Sequence, residues 1–185
     1  MLTKILIGVA VVVVLFVVVV ATRPAAYHVV RKRDVAAPPE AVFGVLNDLR
    51  QFAGVWVLFD APFEVDPTLQ KTIEGPAAGV GQSYAWTGKD VGKGKITIAE
   101  SVPAQKVGMK VDFVEPMAST STYSLDIAPS PTGSQVTWST NGSHNFIGKA
   151  FGLFVDMDKM LGGDLEKGLA QLKTVAERKT LAPVP

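Results

Sequence analysis

The 185-residue chain carries 18 basic and 17 acidic side chains, without the basic excess of a nucleic-acid-binding domain, so no nucleic-acid partner is expected. It has no cysteine and only two histidines, His28 and His144, which excludes disulfides, thiolate catalysis and cysteine- or histidine-rich metal centres. No metal and no cofactor is expected, and a chain of this length predicts one globular domain.

Residues 5–21, ILIGVAVVVVLFVVVVA, are uncharged and almost wholly apolar. As a helix they reach about 26 Å, close to the hydrocarbon thickness of a bilayer. A strand of that length is unusual. A cleaved signal peptide has a shorter apolar region, about 7–15 residues, that ends in small residues of the A-x-A type. Here the run ends in Ala21-Thr22-Arg23-Pro24. A single-pass anchor with its linker is therefore expected over residues 1–24. Lys4 precedes the segment, and Arg23, Arg31, Lys32 and Arg33 follow it. The bare count favours a cytoplasmic domain, but residues 31–33 belong to the first predicted strand, so the side of the membrane stays open.

Residues 25–178 are expected to form the domain, with 179–185 as a tail. YHVVRKRDVAA, residues 27–37, reads as a strand that stops before Pro38-Pro39. The two prolines and Glu40 open a short helix, because proline fits the first turn and an acidic residue suits the positive end of the helix dipole. Val42, Phe43, Leu46 and Leu49 share one face at helical spacing, and Gly54 follows a second short helix.

The period then changes to two. A strand with Pro67 near its centre is expected over 63–74. Tyr84 and Trp86 share a face, as do Ile96 and Ile98. Val107, Met109, Val111 and Phe113 alternate with Lys106, Lys110 and Asp112. Tyr123, Leu125 and Ile127 alternate in the next run, and Val136 and Trp138 in the last. Short alternating runs divided by Gly- and Pro-containing breaks predict an antiparallel meander with one buried face.

TGKDVGKGK, residues 87–95, has the glycines and lysines of a phosphate loop. It lacks the Walker spacing and the Ser or Thr, and a strand rather than a helix follows, so a hairpin turn is predicted. Asn141-Gly142-Ser143 matches a glycosylation sequon but reads as a turn. From Phe146 onward, Phe151, Phe154, Leu161, Leu165, Leu169, Leu172 and Ala176 recur as in a helix of eight or nine turns. Its many glycines oppose that reading. They predict either a kink at Gly162-Gly163 or close approach of the helix backbone to the sheet or a ligand.

PPEAVFGVLNDLRQF, GVGQSYAW, VGKGKITIAESVPAQKV and NGSHNFIGKAFGLFVDMDKMLGGDLEKGLAQLK, in that order after an apolar N-terminal segment, resemble the bacterial SRPBCC proteins of the START-like, polyketide-cyclase/dehydrase and lipid-transport superfamily. The resemblance covers nearly all of residues 27–176. It implies an α+β helix-grip fold, in which a curved antiparallel sheet of about seven strands wraps a long C-terminal helix and leaves a cavity between them. It implies no fixed catalytic set, because members range from carriers to cyclases.

Tyr84, Trp86, Met109, Phe113 and Trp138 fall on inward strand faces, and Phe154, Met157 and Leu161 on the helix. Singly each reads first as core; as a set they also suit an apolar pocket. His144 lies in a turn-rich stretch, and Asp156 and Asp158 are on different helix faces, so both read as surface groups. No catalytic residues are assigned. The expected ligand is an apolar small molecule such as a lipid, fatty acid, quinone or polyketide-like compound, bound or carried. A cyclase or dehydrase using the same cavity is the alternative, and it requires polar side chains directed into that cavity.

Overall fold

The computed structural model describes residues 1–55, 66–116 and 118–181, with the side chains of Met157 and Leu181 excepted. Helix α1 (Leu2–Thr22) leads directly into β1 (Ala26–Val35). Two short helices, α2 (Pro39–Leu46) and α3 (Leu49–Phe52), follow. Then come β2 (Gln70–Glu74), β3 (Ser83–Gly88), β4 (Gly92–Val102), β5 (Lys106–Glu115), β6 (Ser119–Ser130) and β7 (Gly133–Ser143). The chain closes with α4 (Phe146–Phe151) and α5 (Met157–Leu181).

The seven strands form one antiparallel sheet in the order β1-β7-β6-β5-β4-β3-β2. Consecutive hairpins build six of the strands, and β1 returns to close the other edge against β7. Bulges in β4, between Lys93 and Gly94 and between Ile98 and Glu100, increase the local twist. Helix α5 lies on the concave side against β1, β7 and α2. Its apolar stripe, Leu165, Leu169, Leu172 and Ala176, is buried against the inward residues of the strands. This is the helix-grip α+β fold.

Two glycines explain how α5 sits so close. A Cβ at Gly168 would stand 2.5 Å from the Trp138 ring and 3.3 Å from the Val55 carbonyl oxygen. A Cβ at Gly162 would collide with the Arg31 guanidinium. Arg31 projects from β1 to the helix, where it pairs with Asp158 at 2.9 Å and Glu166 at 2.7 Å. Close approach is thus the use of Gly162 and Gly168, and α5 is continuous through Gly162-Gly163.

Three local expectations change. The predicted long helix is two: α4 ends at Gly152, and the Asp156 carboxylate then accepts a hydrogen bond from the Lys159 N–H at 3.1 Å at the start of α5. The Asn141-Gly142 turn is instead the end of β7, paired with His28 and Tyr27 of β1. Sheet pairing outweighs the local turn preference there. The strand expected over 63–74 is confined to Gln70–Glu74, and residues 63–65 lie outside the described residues.

The glycine- and lysine-rich stretch is the β3–β4 hairpin, with Gly92 at φ 69°. Asp66 holds it from outside: its carboxylate accepts from the Thr68 N–H at 2.8 Å, the Thr68 hydroxyl at 2.5 Å and the Asp90 N–H at 2.9 Å. Thr68 Oγ1 in turn accepts from the Lys89 N–H at 2.9 Å. The Lys89 and Asp90 amides of the turn are thus taken up by side-chain oxygens of the protein itself.

Candidate functional site

Register on the concave face explains where space opens. Along β7 the inward positions run Val136, Trp138, Thr140 and Gly142; along β6 they run Ile127, Leu125, Tyr123 and Ser121 in the paired order. The first two of each row are large and apolar, and the last are small or hydroxylated. β1 contributes Tyr27 opposite Gly142, and β5 contributes Phe113 opposite Ser119. Packing is therefore dense toward one end of the sheet and loosens toward the end where β1 begins.

A cavity of about 550 Å³ lies at that loosened end. Phe113, Tyr27, Tyr123 and Leu161 form its apolar and aromatic walls. Ser119, Thr120, Ser121, Thr140 and Ser143 line it with hydroxyls, and Glu115, His144, Asn145 and Gly148 border it. The volume falls in the range of about 300–1,000 Å³ typical of small-molecule sites. A second depression, of about 700 Å³, lies at the opposite end against Pro39, Pro103, Gln105 and Pro129. Among the described residues no aromatic side chain or histidine lines it.

The polar groups of the first cavity are ordered. The Tyr27 hydroxyl and Ser121 Oγ are 2.8 Å apart. The His144 ring stacks on Tyr27, with centroids 4.6 Å apart and planes 27° apart. His144 is placed by its own N–H, which donates to the Ala25 carbonyl at 2.8 Å, and Asn145 Oδ1 caps α4 by accepting from the Gly148 N–H at 2.9 Å. A Cβ at Gly142 would collide with the Tyr27 hydroxyl, so the glycine in β7 is what lets this phenol lie inward.

Of the residues expected to line a pocket, the structure brings Phe113 and Leu161 to this cavity. Tyr84, Trp86, Met109 and Trp138 are buried in the main core. Trp138 packs against Phe52 and Tyr123, and its indole N–H has no hydrogen-bond partner among the described residues. Trp86 meets Phe113 edge to face at 5.7 Å, so it supports a cavity wall from behind. Burial pushes the Tyr84 phenol up to about 12. Phe154 is 80 % exposed, and the Met157 side chain lies outside the described residues. Tyr27, Ser121, Tyr123, Thr140 and His144 were not singled out from the sequence as lining. Extending the period-two rows from Tyr123 to Ser121 and from Trp138 to Thr140 would have found two of them.

Among the described residues no three His, Asp or Glu side chains converge as metal ligands. Residues 26–177 match the family described as "Polyketide cyclase / dehydrase and lipid transport". The chain belongs to this family. None of the curated proteins compared matches it in sequence. Among solved structures, it resembles a protein of unknown function from Staphylococcus aureus, with a TM-score of 0.63 and 11% identity over 86% of this chain and 99% of that one. A protein from Chromobacterium violaceum gives a TM-score of 0.57 and 17% identity over 81% and 96% of the two chains. The di-domain ARO/CYC protein of the steffimycin biosynthetic pathway gives 0.58 and 13%, over 85% of this chain and 53% of that one. At these identities the likenesses establish the fold.

Proposed function

We propose that this family member is a membrane-tethered module that binds or carries an apolar small molecule, of lipid, fatty-acid, quinone or polyketide-like character, between the sheet and the C-terminal helices. The observation that carries the reading is the cavity itself: Phe113, Tyr123, Tyr27 and Leu161 offer apolar area, and the Ser121 and Thr140 hydroxyls offer a few fixed polar contacts. Tethering is supported by α1, whose 21 residues rise about 31 Å, enough to cross a bilayer. Its large apolar side chains are exposed from Leu2 to Val19, and only Val20 is buried. Native mass spectrometry of the full chain released from detergent tests the binding reading. A retained apolar adduct at a single site, weakened by Phe113→Ala, is expected. A protein that carries no adduct and takes up no fatty acid or naphthylamine probe would sink it.

A second reading, a cyclase or dehydrase in the same cavity, is favoured by one observation. Titratable side chains do line the space: Tyr27, Tyr123, His144 and Glu115. A phenol stacked on an imidazole can donate and accept protons beside a bound carbonyl compound. The test is incubation with a poly-β-carbonyl thioester, followed by product analysis. Ring formation above the spontaneous rate, lost in Tyr27→Phe and His144→Gln while ligand uptake persists, supports catalysis. Uptake without turnover assigns the cavity to carriage.

A further inference from the structure

Outside α1, seven large apolar side chains are strongly exposed among the described residues, and five of them fall between residues 146 and 160: Phe146, Ile147, Phe151, Phe154 and Met160. Phe154 is 80 % exposed and Ile147 62 %. Isolated exposed apolar residues are ordinary, but a cluster of this kind marks an interaction surface. Its position identifies the partner. Helix α4 packs on the C-terminal turn of α1, where the Lys149 ammonium donates to the Ala21 carbonyl at 3.2 Å and Val20 is buried. The α4 part of the cluster, Phe146, Ile147 and Phe151, thus adjoins the apolar surface of α1 at the end where that helix meets the domain, and Phe154 follows three residues on. The same segment borders the cavity through His144, Gly148 and Leu161.

We propose that α4 and residues 153–160 dock on the surface of the bilayer that α1 crosses, with Phe151 and Phe154 inserted at the headgroup–acyl boundary. Aromatic side chains are stable at that depth, and Arg23 and Lys149 suit anionic headgroups there. The cavity then opens toward the membrane, and its ligand enters from the lipid and not from water. This rests on the reading of α1 as a membrane anchor.

The absence of native cysteine permits a direct test on the full chain. Phe151→Cys, Phe154→Cys and Val80→Cys are each labelled with a nitrobenzoxadiazole probe and reconstituted into phosphatidylcholine–phosphatidylglycerol vesicles. Val80 is also exposed, at 57 %, but it precedes β3 at the other end of the sheet. Blue-shifted emission quenched by doxyl-labelled lipids is expected at positions 151 and 154, with neither effect at 80. Equal thermal melts verify that the variants fold. If the protein floats with vesicles through an alkaline wash while the position-154 probe stays unquenched, docking is refuted and the anchor reading stands. A blue shift without lipid quenching places a second copy or another protein on the patch and also refutes it. A protein that does not float removes both readings together. Phe154→Ser should slow loading of a fluorescent fatty acid from vesicles without changing loading from dilute solution; equal rates from vesicles would overturn entry from the lipid.

Discussion

Asp66 is 4 % exposed, and its three accepted hydrogen bonds bind the β2 side of the chain to the β3–β4 hairpin. Bonds from the Thr68 hydroxyl and then from the Asp90 N–H stabilise the charged form and lower its pKa to about 2, against a burial effect that raises it. A carboxylate lowered below its ordinary value of about 3.9 adds stability that is present above about pH 4 and lost as pH falls through its folded value near 2. The expected result is a melting temperature that falls across that window in the parent, with a flatter acid limb and lower neutral stability in Asp66→Asn. Parallel acid limbs would show that Asp66 does not couple to folding. In the cavity, Tyr27→Phe and Ser121→Ala each remove one hydroxyl of the 2.8 Å pair, and each should cost about 0.5–1.5 kcal/mol on a chemical melt. Gly142→Ala removes no polar group but displaces the Tyr27 ring, so it should perturb probe binding more than its chemistry suggests. These residues were hard to read from sequence because serine, threonine and glycine carry no apolar signal. They define the space by being small at inward positions.

Helix α5 shows how far an element can be read from composition. Its apolar spacing predicts the face that meets the sheet, and the structure buries that face. Its glycines look identical in the sequence but are not equivalent. Gly163 has nothing within 4 Å of where a Cβ would stand, while Gly168 faces the Trp138 ring at 2.5 Å. Gly163→Ala should therefore stabilise the protein by up to about 1 kcal/mol, the ordinary helix-propensity gain. Gly168→Ala should destabilise it, because the ring is fixed between Phe52 and Tyr123 and cannot yield. Trp138→Ala should cost about 3–5 kcal/mol, as expected of a large core side chain. A paired melt of the two glycine variants checks the argument; the same sign for both would mean that α5 can shift on the sheet. The strand order was legible for a similar reason: alternation and turn residues are local. The split between α4 and α5 was not, since Phe151 and Phe154 keep helical spacing across the break. Nor was the exposure of Phe154, which lies between the two helices and packs on neither core face.

At the scale of the molecule, the α1 segment and the domain touch at few points. Val20 is the one buried residue of α1, Lys149 donates to the Ala21 carbonyl, and the first strand begins four residues after the helix ends. The core cluster contains no α1 residue. Removing residues 1–24 keeps Ala25, whose carbonyl receives the His144 N–H, and keeps all of β1 with its pairing to β7. The shortened protein should therefore unfold cooperatively, with a melting temperature within a few degrees of the detergent-solubilised parent. It should retain the cavity and bind an apolar probe with unchanged stoichiometry. The same cut uncovers the side of α4 on which α1 packs, and α4 already exposes Phe146, Ile147 and Phe151, so an apolar patch that water disfavours is enlarged. Concentration-dependent self-association, reversed by mild detergent, should follow, and sedimentation velocity would measure it. Substituting serine at Phe151 and Phe154 should restore a monomer without lowering the melting temperature. A shortened chain that does not unfold cooperatively even in detergent would show that α1 is part of the folding unit, contrary to the contacts around Val20 and Ala21.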